Sequence, residues 1–414
     1  MKDEGLDFGG LCRTAALVVI FLASGAATSA DDWPHYRGPD HNGISSETGW
    51  SSDWGDAGPK ILWRASVGKG SSAVSVAAER AYTMGNDSGT EGEEMDSVFC
   101  LDAETGEVVW KRSYPCPLLP KYYEGGALST PTVDGKVVYA LSKMGDLFCL
   151  DAATGEVVWE KQLNRKLGFE LPTWHFSSAP LIVRDKLILN LGLAGAAFDK
   201  RSGELLWENG REVCGYSTPV PAVVDGEECA VICGADSIFG VRIADGKLLW
   251  RHPFFNKHKA NCGDAIVVGD EVFASSGYGR GCVKIRVAGD RTTPVFDNTA
   301  MRNLQSSCVL WKGQLYGLNE KRLKCMDFKD SRERWVQGGM GNGSLSMSAD
   351  GRLLVMTERG ELVIAKAAPD AFHALARARV FQKRATCRTA PVLANGRIYL
   401  RNGRGELVCL DVRK

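Results

Sequence analysis

Trp174 and His175 are the adjacent pair in this chain best suited to contact a ligand, an aromatic face beside a titratable base. Tyr123 and Glu124 repeat the arrangement with a carboxylate, and Tyr216, Asn261, Gln305 and Arg388 add a phenol, two amides and a guanidinium. Such a set can stack on a ring, hydrogen-bond polar edges and pair with an anion, which is binding chemistry. The plainer reading is that Trp174 packs over a loop and His175 is a satisfied rim residue. No Ser-His-Asp order, GxSxG turn, phosphate loop or paired-carboxylate spacing stands out, so no catalytic residue is assigned. The 13 cysteines and six histidines contain no CxxC or HxxxH pair, and no metal site is expected.

Other chemistry-bearing residues recur too regularly to form one site. Asp102, Asp151, Asp199 and Asp327 each precede a short polar turn and read as caps of that turn. Cys100, Cys149, Cys325 and Cys409 recur in VFCLD, LFCLD, LKCMD and LVCLD, where they read as small buried apolar residues. The 50 basic and 50 acidic side chains cancel, with no basic block, which argues against a nucleic-acid partner. With 44% hydrophobic and 24% charged residues the composition is that of a soluble globular protein.

The one long apolar run, Ala15 to Ala27, is shorter than the roughly 20 residues that span a bilayer. Arg13 precedes it and Thr28, Ser29 and Ala30 follow, so residues 1–30 read as a cleavable signal peptide, despite the acidic Asp3, Glu4 and Asp7. A periplasmic or extracellular protein without a membrane span after cleavage is expected.

The elements that must position the candidate residues are repeats. VFCLDAETGEVVW (Val98 to Trp110) and LFCLDAATGEVVW (Leu147 to Trp159) are near-copies, and AAFDKRSGELLW, FGVRIADGKLLW and LKCMDFKDSRERW are partial ones. Tryptophans 63, 110, 159, 207 and 250 are spaced by 47, 49, 48 and 43 residues, the period of a four-stranded propeller blade. Each unit opens with a small-residue segment such as STP, SAP or TAP, alternates through strands, and turns on a glycine before its last strand. The anchor positions are Trp63, Trp110, Trp159, Trp207, Trp250 and Trp335, with Phe296 and Phe381 as degenerate substitutes. Trp63 lacks three preceding strands, and the unit from Thr386 to Lys414 lacks a fourth. The first strand is therefore predicted to close an eight-bladed, all-β ring beside Val408 to Asp411, leaving no exposed sheet edge and a monomeric chain.

The repeated LDAxTGExxW motif resembles the tryptophan-docking motif of the pyrroloquinoline-quinone (PQQ)-type β-propellers over residues 60 to 414. The resemblance implies that Trp110, Trp159, Trp207, Trp250 and Trp335 pack between adjacent blades. Quinoprotein dehydrogenases of this superfamily are longer, carry an adjacent Cys-Cys pair and bind calcium; this chain has no adjacent cysteines. It is more similar to the BamB-like branch, eight-bladed, exported and non-catalytic, although it lacks that branch's lipid-attachment cysteine. Residues 31–59 form a leader whose WPHYRGPDHNG segment resembles that of a group of secreted bacterial propellers. Arg37 within it reads as a clamp onto the ring, with pairing to a carboxylate as the other reading.

Propellers bind ligands where the loops entering the innermost strands converge. Aligned repeats place Ser71, Leu128, Ser177, Tyr216, Cys262, Ser306, Ser344 and Arg388 at the starts of those strands, with Asp264 and Asn342 nearby. The expected function is a cofactor-free scaffold that binds an envelope protein. The alternatives are a dehydrogenase using PQQ and calcium, and a carbohydrate-binding envelope module that uses the rim aromatics. Because equivalent strand positions in neighbouring blades lie beyond the roughly 7 Å reach of a disulfide, Cys100, Cys149 and Cys409 should be reduced. Alkylation of denatured, unreduced protein followed by mass spectrometry should find all three modified.

Overall fold

Alternating apolar residues and glycine turns fold the repeats into sheets arranged as a ring. The computed structural model describes residues 32–55, 57–88, 93–120, 123–382 and 386–414; the signal-peptide segment lies outside them. Eight sheets are formed, seven of four strands and one of five, and together they make an eight-bladed β-propeller. Among the described residues no helix is long and apolar enough to cross a membrane. Each blade is an antiparallel meander, as in Thr132–Asp134, Val137–Leu141, Asp146–Asp151 and Val157–Gln162 of the second blade. Closure follows the predicted plan. The strand Lys60–Ser66 pairs antiparallel with Glu406–Asp411, with Trp63 opposite Cys409 and Lys60 opposite Asp411.

The anchors explain why blades hold together. Trp63 Nε1 donates to Ala103 O of the next blade at 3.1 Å, Trp110 to Ala152 O at 2.9 Å and Trp159 to Lys200 O at 3.1 Å. Trp207 donates to Ile243 O at 3.1 Å and Trp335 to Ala368 O at 2.8 Å. Each of the first two indoles lies flat against the hairpin glycine of the next blade: a Cβ on Gly106 would sit 2.4 Å from Trp63, and one on Gly155 2.6 Å from Trp110. Those glycines also hold φ of +74° and +75°, so the position needs both the missing side chain and the left-handed backbone. The preceding aspartates cap the same hairpins: Asp102 Oδ1 accepts from the amides of Glu104 and Thr105, and Asp151 Oδ1 from those of Ala153 and Thr154.

Two junctions depart from this pattern. Trp250 is buried, but its Nε1 has no acceptor among the described residues, because the next blade carries a longer hairpin, Gly281–Ala288 with Arg291–Asn298, in place of the standard turn. The second departure corrects the anchor expected at Phe381. By strand register the anchor position of the seventh blade, opposite Ile364, is Ala376. Phe381 lies beyond the strand and folds back onto Gly360, whose carbonyl accepts its amide at 3.0 Å. The gap left by a missing indole is filled from the leader: Trp50 and Trp54 pack in the same apolar cluster as Ala376 and Phe381. Arg352 lies 3.6 Å over the Trp50 ring and donates to Trp50 O at 3.0 Å.

All twelve cysteines of the described residues are free thiols, and Cys100, Cys149, Cys325 and Cys409 are buried as their strand position implies. Trp63→Ala should destabilise the ring by about 3–5 kcal/mol, and Trp50→Ala should act comparably although it lies outside the repeat. Thermal melts of both variants check this. An unchanged melting temperature for Trp63→Ala would remove the closing strand from the energetics.

Candidate functional site

The first strands of the blades surround a central channel, and the leader crosses one end of it. Trp33 exchanges two backbone bonds of 2.8 Å with Val76 in the first blade, and Val133 N in the second donates to Pro34 O at 2.8 Å. The leader then reaches the seventh blade, where Ile44–Ser45 pairs in parallel with Ser344–Ser348, and the eighth, where Ser51 N donates to Val412 O at 2.7 Å. Between these ends Arg37 is buried beneath the channel. It donates to Asn42 O and Cys308 O, each at 2.9 Å, and lies 3.6 Å from Asp264 Oδ2 in the fifth blade. Both readings of Arg37 hold: it is a clamp, and its partner is a carboxylate. Gly38 leaves room for the Trp33 ring, which a Cβ there would approach to 2.8 Å, and Gly43 turns the chain at φ +79° under Arg37. His35 and His41 stack beside them, centroids 4.0 Å apart, and burial lowers the pKa of both, so the pair is neutral at neutral pH.

Above this floor lies a cavity of about 930 Å³ whose wall includes Trp33, Tyr36 and Arg37 from the leader. All eight aligned strand-start positions, from Ser71 and Leu128 round to Ser344 and Arg388, line it. Of the singled-out residues, Tyr123, Trp174, Tyr216, Gln305 and Arg388 form part of the wall, as does Asp264. Glu124, His175, Asn261 and Asn342 stand outside it. The Glu124 carboxylate faces Gly403 in the eighth blade, where a Cβ would meet it at 2.4 Å. His175 Nδ1 lies 3.5 Å from Tyr123 Oη, at contact range only. Asn261 is a brace: its side-chain amide donates to Gly234 O and Phe254 O, each at 2.8 Å, and its backbone carbonyl accepts from Tyr216 N at 3.0 Å.

The mouth opposite the leader carries residues that the repeat alignment did not single out. His258 and Tyr278 join Trp174 and Tyr216 in one aromatic cluster. Trp174 and Tyr278 are near-parallel, with centroids 6.5 Å apart and planes 12° apart. The Trp174 amide donates to Tyr216 Oη at 3.1 Å, which fixes one ring against the other. Lys257 and Lys259 flank His258 and are exposed at the same rim. Tyr278 sits in the GYGRG turn of the fifth blade, and His258 in the loop leading to that blade's first strand. The loop's position just before an innermost strand was the available signal. That the turn bends over the same opening was not readable from spacing.

The family described as Outer membrane protein assembly factor BamB matches residues 94–337, more than half of the chain. The chain belongs to that family. No curated protein matches it. Among solved structures it is similar to BamB from Moraxella catarrhalis, with a TM-score of 0.61 and 17% identity over 85% of this chain and 97% of that one. It is also similar to a europium-containing methanol dehydrogenase, with a TM-score of 0.67 and 11% identity over 90% of each chain. The quinohemoprotein alcohol dehydrogenase of Comamonas testosteroni gives a TM-score of 0.53 and 13% identity, over 93% of this chain and 81% of that one. At these identities the likeness shows the fold alone.

Burial under the cavity floor raises the Asp264 carboxyl to about 6, against the opposing pull of Arg37 and the bond of 2.8 Å from Thr218 N. A raised carboxyl pKa means the folded chain holds this proton where the unfolded chain has lost it. The contribution is full below about pH 4 and is lost as the pH rises through 6. Relative to Asp264→Asn, which cannot ionise and leaves Arg37 its carbonyl acceptors, the native chain should lose roughly 3 kcal/mol over that window. Urea titrations of both proteins at pH 4, 5, 6 and 7 measure the difference, and a flat difference would show that Asp264 stays ionised throughout.

Proposed function

We propose that this propeller is a non-catalytic binding scaffold of the cell envelope and that its ligand enters the cup at the loop mouth. The aromatic cluster of Trp174, Tyr216, His258 and Tyr278, poised over a cavity floored by the leader, carries the reading. Aromatic faces with one side open stack on the apolar faces of rings, and surrounding hydroxyls and amides set orientation. Envelope location is supported by membership of a family named for outer-membrane assembly and by the apolar run at residues 15–27.

Two occupants suit such a scaffold. An envelope protein is the partner that the BamB likeness suggests, and exposed apolar residues on outermost strands (Val109, Val158, Leu206 and Leu248) offer it a surface. A carbohydrate is favoured by the cup itself, because a concave opening with a stacked Trp174–Tyr278 pair suits a ring better than a flat protein face.

The quinone reading fits the donors poorly. Among the described residues no three histidine, cysteine, aspartate or glutamate side chains gather closely enough to hold a metal ion. Asp264, the carboxylate in the cavity wall, is engaged by Arg37 and the Thr218 amide. Calcium in a quinone enzyme polarises the quinone and needs anionic oxygen ligands, which this wall does not supply. With PQQ and calcium, calorimetry should show no tight binding, and an artificial acceptor should stay oxidised with alcohols or sugars. Sub-micromolar quinone binding, weakened by Asp264→Asn or Arg388→Ala in the cavity wall, would replace the scaffold with the enzyme.

A further inference from the structure

The charges at the cup are one-sided. Arg37, Lys257, Lys259 and Arg388 contribute four positive charges to the wall and Asp264 one negative charge, a difference of three. Asp264 and Arg37 satisfy each other at the floor, and the positive charge that faces solvent at the mouth is that of Lys257 and Lys259. The two lysines are exposed and form no ion pair among the described residues. A positive rim around a low-dielectric cup concentrates anions and speeds their capture.

The lysines are also held in place. Asn256 is buried, and its side-chain amide donates to Ala260 O and Ser276 Oγ, each at 2.8 Å, while its Oδ1 accepts from His258 N at 2.8 Å and Ala260 N at 3.3 Å. One side chain thereby closes the turn that displays Lys257, His258 and Lys259. Asn261 anchors the far end of that loop to the fourth blade. Lys259 at φ +52° and Tyr278 at φ +57° hold a backbone conformation that is uncommon for residues of their size. Such strain is retained where surrounding bonds over-determine it, and it accumulates at ligand clamps.

From these observations we infer that the cup binds an acidic oligosaccharide, with sugar rings against Trp174 and Tyr278 and their carboxylate or sulfate groups on Lys257 and Lys259. This deepens the carbohydrate reading of the mouth and rests on it. A neutral glycan would use the aromatic wall and leave the lysines idle. An acidic peptide would use the lysines without needing the near-parallel rings. The serine hydroxyls at the strand starts, among them Ser71, Ser177, Ser306 and Ser344, line the wall as donors and acceptors for sugar hydroxyls.

Calorimetry on the exported chain would compare four probes: an oligogalacturonate, a sulfated oligosaccharide, a neutral oligosaccharide of equal length and an oligoglutamate. The acidic sugars should bind about tenfold or more tightly than the neutral one, more weakly as salt is raised. Lys257→Ala with Lys259→Ala should erase that advantage while leaving neutral-sugar binding and the melting temperature unchanged, since both side chains are exposed. Trp174→Ala should weaken all three sugars, and Trp174→Phe should restore part of the loss. The oligogalacturonate and sulfated arms tell the two anionic groups apart. Equal affinity for acidic and neutral sugars, both lost in Trp174→Ala, would overturn the anionic preference and keep the carbohydrate reading. Binding of the oligoglutamate alone, or of none of the four, would overturn both.

Discussion

An indole laid across a glycine in the next blade, with its N–H on that blade's carbonyl, is the contact on which this ring depends. It joins units that would each leave an apolar sheet face in water. Burial of an aromatic of this size is worth several kcal/mol at about 25 cal/mol per Å², and the hydrogen bond removes the cost of hiding the indole N–H. The geometry tolerates no side chain at Gly106 or Gly155, and it requires the left-handed backbone that the preceding aspartate caps. Residues along the LDAxTGExxW stretch are therefore bound together by one contact. Where the indole is missing, as at Ala376, the ring recruits Trp50 and Trp54 from outside the repeat.

That recruitment shows what the leader does. It bonds to the first, second, seventh and eighth blades and sends Arg37 to the fifth and sixth, so it ties opposite sides of the ring together. The buried Arg37–Asp264 pair is more costly to desolvate than an apolar contact would be, and its value lies in register. A guanidinium with three carbonyl acceptors and one carboxylate fits one arrangement of the leader across the channel. With the leader across one end of the channel, Trp33, Tyr36 and Arg37 become part of the cavity wall and give it a floor.

The mouth follows from the same economy of parts. Loops entering neighbouring blades need side chains to pin their own backbones, and Asn256, Asn261 and Tyr216 supply them. Once pinned, those loops hold Trp174, His258 and Tyr278 at fixed distances, so a ligand at the proposed site would meet rings and charges already positioned and need not order them. Stability thus draws on the buried asparagines of these loops, and the proposed binding on the half-buried Trp174 and the exposed Tyr278, Lys257 and Lys259.

Blade number, ring closure, the capping role of the aspartates and the burial of the repeat cysteines were legible in the sequence, because each is a periodic, local requirement that recurs every 43 to 49 residues. Periodicity also located the eight strand-start positions that line the cavity. It failed at Phe381, where an aromatic at roughly the right distance from the previous anchor proved to lie past the end of its strand; one residue of register decides which face a side chain takes. The site was legible only in part. Trp174, Tyr216, Tyr123, Gln305 and Arg388 stand in the wall, whereas Glu124, His175 and Asn261 face neighbouring loops, because a rim loop has no period from which direction can be read. Which loops share an opening, that Tyr278 leans over Trp174, and that Arg37 crosses beneath the channel to Asp264, 227 positions away, are properties of the closed ring. Local sequence determined the blade. Only the circular stacking of eight blades, which brings distant loops to one axis, determined the cup.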